Sequence, residues 1–105
     1  MTRKVFITSN GGHDYSDAAR FGEIVFCTDV AIRKDDIAHM YREFNIAMRD
    51  AEEDDYLLVG SLTSMCMVAA GIMADRFGRL NCLIFRDGKY IDRTIMLDPY
   101  MGSMS

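Results

Sequence analysis

"YLLVGSLTSMCMVAAGIMADRFGRLNCLIF", residues 56–85, sets two short apolar runs on either side of a longer one. The first, "YLLVG" (56–60), is compact enough for a strand. "LNCLIFR" (80–86) is a second strand, rich in β-branched and aromatic residues. Between them "SLTS" (61–64) is a polar junction, and "MCMVAAGIMADRFG" (65–78) reads as a helix that is apolar around most of its circumference. Ala69, Ala70 and Gly71 permit close packing, and Gly78 is a natural left-handed terminator. A strand, a crossover helix and a second strand imply parallel pairing, because parallel neighbours need a long connection.

The same logic extends toward the N-terminus. "KVFIT" (4–8) and "EIVFCT" (23–28) are strand-like and almost continuously apolar, which suits strands covered on both faces. From Asp36 the period changes. Ile37, Met40, Tyr41, Phe44, Ala47, Met48 and Ala51 form an amphipathic stripe, with Arg42, Glu43, Arg49 and Asp50 opposite. Asp35 or Asp36 can cap this helix. The acidic run Glu52–Asp55 reads as a solvated turn. "KYIDRTIML" (89–97) pairs with 80–86 through Asp87-Gly88, the sequence of a type I′ hairpin.

The resulting fold class is α/β: a small Rossmann-like sandwich with order β-loop-β-α-β-α-β-β. Its sheet is mainly parallel and ends in an antiparallel hairpin. Residues 1–97 form one domain, and 98–105 are read as a loose tail.

Composition bounds the partners. The chain has 105 residues, half of them apolar, and a formal charge of −4. It gives no electrostatic reason to hold a phosphate backbone, so no nucleic-acid partner is expected. Cys27, Cys66 and Cys82 are odd in number and each sits in an apolar segment, as reduced core thiols of a cytoplasmic protein would. The apolar run 5–7 is too short for a signal peptide, and 62–74 is too short to span a bilayer, so no membrane partner is expected. A sheet this small gains by pairing, and a homo-oligomer is expected.

Ligands of open α/β sheets bind beyond the carboxyl ends of the strands. Those ends carry Thr8-Ser9-Asn10, Thr28-Asp29 and Gly60-Ser61, which brings the loop "TSNGGHDYSDAARFG" (8–22) and "GSLTS" (60–64) to one edge. The expected ligand-binding set is Ser9, Asn10, Gly11, Gly12, His13, Asp14, Tyr15, Ser16, Gly60, Ser61, Thr63 and Ser64. Asn10 and Asp14 suit sugar hydroxyls, Tyr15 suits a base, and Gly11-Gly12 allow close backbone approach. Ser61, Thr63 and Ser64 surround a helix N-terminus that favours anions. The ordinary alternative makes Thr63 or Ser64 a helix cap, and Asp14 or Ser16 the cap of a short helix in "SDAARFG" (16–22). No GK[ST] element or G-x-S-x-G elbow is present.

His13, Asp14 and Ser16 spell a triad but are too close in sequence for its relay geometry. His13 or Asp14 remains a candidate general base. His13, Asp14, Asp29 and His39 lack metal-ligand spacing, so no metal or other cofactor is expected.

"GGHDYSDAARFGEIVFCTD" (11–29), "DDYLLVGS" (54–61) and "LNCLIFRDGKYIDRTI" (80–95) resemble small proteins encoded by tailed bacteriophages. His13-Asp14-Tyr15-Ser16 and Phe21-Gly22 carry most of that resemblance. It implies a phage setting and the cytoplasm of an infected host cell, with no particular chemistry. More distantly, the layout is similar to Rossmann-like nucleotide-metabolite sensors and nucleoside deoxyribosyltransferases. The helix-borne catalytic glutamate of the latter has no counterpart here.

The leading expectation is therefore a binder of a nucleotide-like or other anionic small molecule, leaning away from catalysis. In a phage it would sequester a host signal or modulate host metabolism. The alternative is a module inhibiting a host protein through the Tyr90-Ile91 hairpin and the Met-rich tail. A third reading is a nucleotide hydrolase or N-glycosidase.

Overall fold

The computed structural model describes residues 2–60 and 62–97. Ser61 and the segment 98–105, expected to be a ligand contact and a loose tail, lie outside the described residues. The elements are β1 (Lys4–Ser9), a 3₁₀ turn (Ser16–Arg20), β2 (Glu23–Thr28) and α1 (Ile37–Ala47). They continue with β3 (Tyr56–Val59), α2 (Thr63–Phe77), β4 (Arg79–Arg86) and β5 (Lys89–Met96).

One five-stranded sheet runs in the order β2-β1-β3-β4-β5. The first four strands are parallel and β5 is antiparallel to β4. From β1 the chain steps outward to β2, then returns across β1 to β3 and continues to β4. Connections that step in opposite directions keep one hand only if they lie on opposite faces of the sheet. They do so here. Both helices cover one face, and the 3₁₀ turn covers the other.

The helix-covered face is the main core. Phe6, Leu57 and Cys82 of the sheet meet Met40 and Phe44 of α1 and Met65, Ala69, Ile72 and Met73 of α2. Phe44 is fully buried, and truncating such a ring to alanine costs about 3–5 kcal/mol. The opposite face is a thinner layer, in which Ala18 lies over Val5, Ile7, Tyr56, Leu58 and Leu83. The expected sandwich thus has one full helical layer and one slender cover.

Local signals explain most boundaries. The Asp36 carboxylate accepts the His39 N–H at 3.2 Å and starts α1. Gly78 terminates α2 at φ 65°. Asp87 and Gly88 take φ values of 54° and 82°, the paired left-handed residues that a type I′ hairpin needs.

Other expectations need correction. Helix α1 stops at Ala47 rather than reaching Ala51, because the chain closes a further turn in which the Ala51 N–H donates to the Met48 carbonyl. Helix α2 begins at Thr63, with Leu62 at the cap position and no side-chain cap, so neither Thr63 nor Ser64 plays that role. Strand β2 is an edge strand and only its last two residues are buried. Cys66 is half-buried, unlike Cys27 and Cys82.

The acidic run is not uniformly solvated either. Asp55 is 2% exposed. Its carboxylate accepts the Lys4 N–H at 2.9 Å and the Glu52 N–H at 2.8 Å, joining the start of β1 to the turn before β3.

Candidate functional site

The loop after β1 is shaped by its own polar residues. Asn10 Oδ1 accepts the Gly12 N–H at 3.0 Å, and Gly12 adopts φ +79°. The Gly11 N–H donates to the Tyr15 hydroxyl at 3.4 Å. Asp14 Oδ1 accepts the Ser16 N–H at 2.9 Å just ahead of the 3₁₀ turn, but the cap position belongs to Tyr15 and carries no side-chain cap, so neither Asp14 nor Ser16 plays the expected capping role. That hydrogen bond also lowers the Asp14 pKa. The carboxylate faces Ser16 instead of orienting His13, so the triad-like spelling does not assemble as a relay.

Tyr15 is the centre of the loop's packing. Its ring meets His13 edge-on at 6.1 Å and Phe26 of β2 at 5.9 Å. Across the sheet, Phe85 and Tyr90 are cross-strand partners on the hairpin, with ring centroids 5.1 Å apart. His13, Asp14, Tyr15, Gly60, Phe85 and Tyr90, with Leu58 and Val59 below, enclose a cleft of about 400 Å³. It lies on the face carrying the 3₁₀ turn, beyond the carboxyl ends of β1 and β3, where the chain's direction of travel switches.

The remaining expected residues divide. Ser9 and Asn10 line a second cleft, of about 550 Å³, with Phe26, Thr28, Asp29, Val30, Ala31, Ile32 and Met65. Thr63 and Ser64 line neither cleft. Ser64 Oγ is buried without a hydrogen-bond partner. Gly11 and Gly12 shape the loop between the two clefts. Ser16 contributes its N–H to Asp14, and its side chain is exposed.

Four residues of these clefts stand out as missed from sequence: Phe85, Tyr90, Thr28 and Asp29. Thr28-Asp29 was legible as a strand end but carried no assigned role. The hairpin register implied by Asp87-Gly88 already makes Phe85 and Tyr90 neighbours. Their place beside the cleft, with Tyr90 buried and Phe85 exposed at its mouth, follows only from the sheet order. Tyr90 is 6% exposed, which removes it from the apolar docking patch expected of a Tyr90-Ile91 hairpin.

A long-range clamp fixes Tyr90. Its N–H donates to Asp17 Oδ2 at 2.7 Å, and its carbonyl accepts from Arg20 Nη2 at 2.6 Å. Arg20 Nε also meets Asp17 Oδ1 at 3.2 Å. Arg20 is therefore a tie between the 3₁₀ turn and β5, not a free cation at the carboxyl edge.

The electrostatics follow from these placements. No lysine or arginine lines either cleft. Burial pushes the Tyr90 phenol up, and Tyr15, Asp17 and Asp14 add to the rise, so Tyr90 stays a neutral hydroxyl. The cleft presents aromatic faces, one imidazole and a carboxylate. It can stack a planar group and accept hydrogen bonds from hydroxyls or amino groups. Among the described residues, no three His, Cys, Asp or Glu side chains come together in a way that could hold a metal ion. No described helix is long and apolar enough to cross a membrane.

Neither the curated proteins nor the solved structures provide a match to this chain. A family model described as "Phage Pam3 gp32-like protein" matches residues 3–97. That span covers both clefts, the clamp and the whole sheet, and the chain belongs to the Phage Pam3 gp32-like protein family.

Proposed function

We propose that this phage-family protein binds a small nucleoside-like molecule at the carboxyl edge of its sheet. The observation that carries the reading is the cleft at the β1/β3 switch point, walled by Tyr15, Phe85 and Tyr90 and rimmed by His13 and Asp14. Its order β2-β1-β3-β4 matches the portion of doubly wound sheets where ligands settle. The volume suits a nucleobase, and aromatic walls with a few polar groups are the usual lining of small-molecule sites.

The missing cations sharpen the ligand class. A phosphate would meet Asp14 or Asp29 without a guanidinium or ammonium to offset them, whereas a neutral base and sugar hydroxyls would find acceptors. The nucleoside portion of a nucleotide-like ligand is therefore the part this edge favours. In an infected cell such a protein would withdraw a host nucleoside or signalling nucleotide from use. It leans toward binding rather than turnover, since Asp14 faces Ser16 instead of orienting His13.

Thermal shift and calorimetry with a panel of ribonucleosides, deoxyribonucleosides, nucleotides and signalling nucleotides test this. A ligand at a hundred times its Kd should add about 2.7 kcal/mol of stability. Tyr15→Ala should abolish the shift. A panel that leaves the melting temperature unmoved overturns the reading.

A further inference from the structure

Tyr90 brings to the cleft at the β1/β3 switch point a hydroxyl that the protein does not use. The residue is 6% exposed, and its main chain is held by Asp17 and Arg20. Among the described residues the phenol has no hydrogen-bond partner, yet it is not sealed in the core. It therefore opens onto the cleft that Tyr90 lines. Polar groups set so deep nearly always have a partner, and a ligand atom in the cleft supplies one.

Asp14 lines the same cleft as an acceptor, and it is exposed. The Ser16 N–H occupies one lone pair of Oδ1 and lowers the pKa, so the carboxylate is ionised at neutral pH. A carboxylate offers about four lone-pair sites, which leaves room for further donors side by side. Burial raises the Tyr90 pKa, and Tyr15, Asp17 and Asp14 add to the rise. Asp14 is thus close enough for its charge to be felt at the phenol, while no hydrogen bond joins the two side chains. The cleft presents a neutral donor and an anionic acceptor with a gap between them, which the edge of a planar ring can fill.

Given the nucleoside reading on which this rests, we propose that the cleft selects guanine as its base. Asp14 accepts from N1–H and from the 2-amino group, and Tyr90 donates to O6. Among the common bases only guanine sets two N–H donors beside a carbonyl acceptor on its Watson–Crick edge, the edge by which an unpaired base is read. Adenine and cytosine offer one amino group beside a ring-nitrogen acceptor. They can satisfy Asp14 once and Tyr90 once, one bond fewer than guanine. Uracil and thymine also give a single N–H, and it is flanked by two carbonyls, one of which is turned on the carboxylate. The bond that separates guanine from the rest goes to a charged acceptor, the stronger kind. Phe85, 57% exposed at the mouth, adds aromatic surface that favours the larger purine.

The test is calorimetry of the full chain with guanosine, inosine, adenosine, cytidine and uridine. Inosine lacks only the 2-amino group, and guanosine should bind about tenfold or more tightly than inosine. Asp14→Asn keeps an acceptor for the Ser16 N–H and should close the gap between guanosine and inosine. Tyr90→Phe keeps the ring, and the ties to Asp17 and Arg20 are made by the main chain. It should weaken guanosine and inosine alike, by roughly three- to tenfold, and preserve the gap. Circular-dichroism melts of both variants should stay near wild type, separating lost recognition from lost folding. Nucleosides bound with guanosine no tighter than inosine or adenosine overturn the choice of base and leave the nucleoside reading standing. A gap that survives Asp14→Asn overturns it as well. A chain that binds none of the five overturns both readings together.

Discussion

Asp17 accepts the backbone N–H of Tyr90 at 2.7 Å, joining residues 73 positions apart. The contact ties the slender cover on one face of the sheet to its antiparallel edge strand. It also decides where the Tyr90 ring stands in the proposed ligand cleft. Replacing Asp17 with alanine removes the acceptor and the Arg20 partner together. We expect a lower melting temperature and weaker nucleoside binding, while Asp17→Asn retains one acceptor and loses less. Equal binding by Asp17→Ala and wild type would separate the clamp from the site.

The same hydrogen bond gives a pH dependence. Donation from Tyr90 holds the Asp17 pKa below the ordinary aspartate value, and the Arg20 guanidinium beside it acts in the same direction. A carboxylate depressed in the folded state stabilises it fully above its unfolded pKa, near about 3.9. That contribution is lost as pH falls through the lower folded value. Asp14 behaves in the same direction through Ser16. Wild type should therefore lose stability on acidification below about pH 4. Asp17→Asn should show a shallower acid slope in melts followed by circular dichroism.

Gly22 is a second fixed point, required by space rather than by left-handed backbone. A Cβ there would lie within 2.7 Å of the Arg3 carbonyl carbon. The chain crosses this closely because the neighbouring Glu23 N–H donates to the Arg3 carbonyl at 2.8 Å as β2 starts against β1. The obstacle is backbone and cannot rotate away. Gly22→Ala should cost about 1–3 kcal/mol, the usual penalty for overpacking. Chemical denaturation would read the loss. Gly12→Ala strains φ at an exposed loop with free space, so its penalty should fall on ligand binding before stability.

How much of this was legible in the sequence depends on the range of the contacts. Strands, helices and the hairpin followed from local period and turn chemistry, because Asp36, Gly78 and Asp87-Gly88 act within their own segments. The placement of Tyr15 and Gly60 on one edge followed from strand polarity. Asp55 was misread because three acidic neighbours mask a residue whose partners, the N–H groups of Lys4 and Glu52, are main-chain atoms. Tyr90 was misread as surface because its burial depends on the 3₁₀ turn folding over from the other side of the sheet. Nothing near residue 90 announces Asp17. Side-chain to backbone ties of this reach leave no periodic trace.

Asp55 offers a stability test independent of any ligand. Its carboxylate satisfies two backbone donors from separate segments, and Lys4 Nζ approaches at 3.9 Å. The backbone carbonyl of Asp55 meanwhile accepts from Asn81 Nδ2 at 3.1 Å, linking the same turn to β4. Asp55→Ala should strand the N–H groups of Lys4 and Glu52 and cost about 2–4 kcal/mol. Asp55→Asn should recover part of that by keeping one acceptor. Nucleoside affinity should be unchanged, since these contacts lie at the amino end of the strands, away from both clefts.

The cysteines connect packing to the site. Burial pushes the Cys27 thiol up to about 12, with Cys66 adding to the rise, and Cys82 is raised by the same two causes. Neither forms a thiolate at neutral pH, so both should resist alkylation until the chain unfolds. Cys66 is half-buried, and its thiol donates to the Gly60 carbonyl at 2.8 Å, holding the first turn of α2 against the residue that lines the ligand cleft. In native protein a maleimide should therefore reach Cys66 before the other two, as mass spectrometry of timed digests would show. The adduct must break the tie to Gly60, so singly labelled protein should bind nucleoside more weakly. Cys66→Ser retains a donor to that carbonyl and should keep the affinity while removing the label. If Cys27 labels first in folded protein, the packing of the helix-covered face is not as described. If Cys66 labels with no change in binding, Gly60 does not contribute to the ligand site.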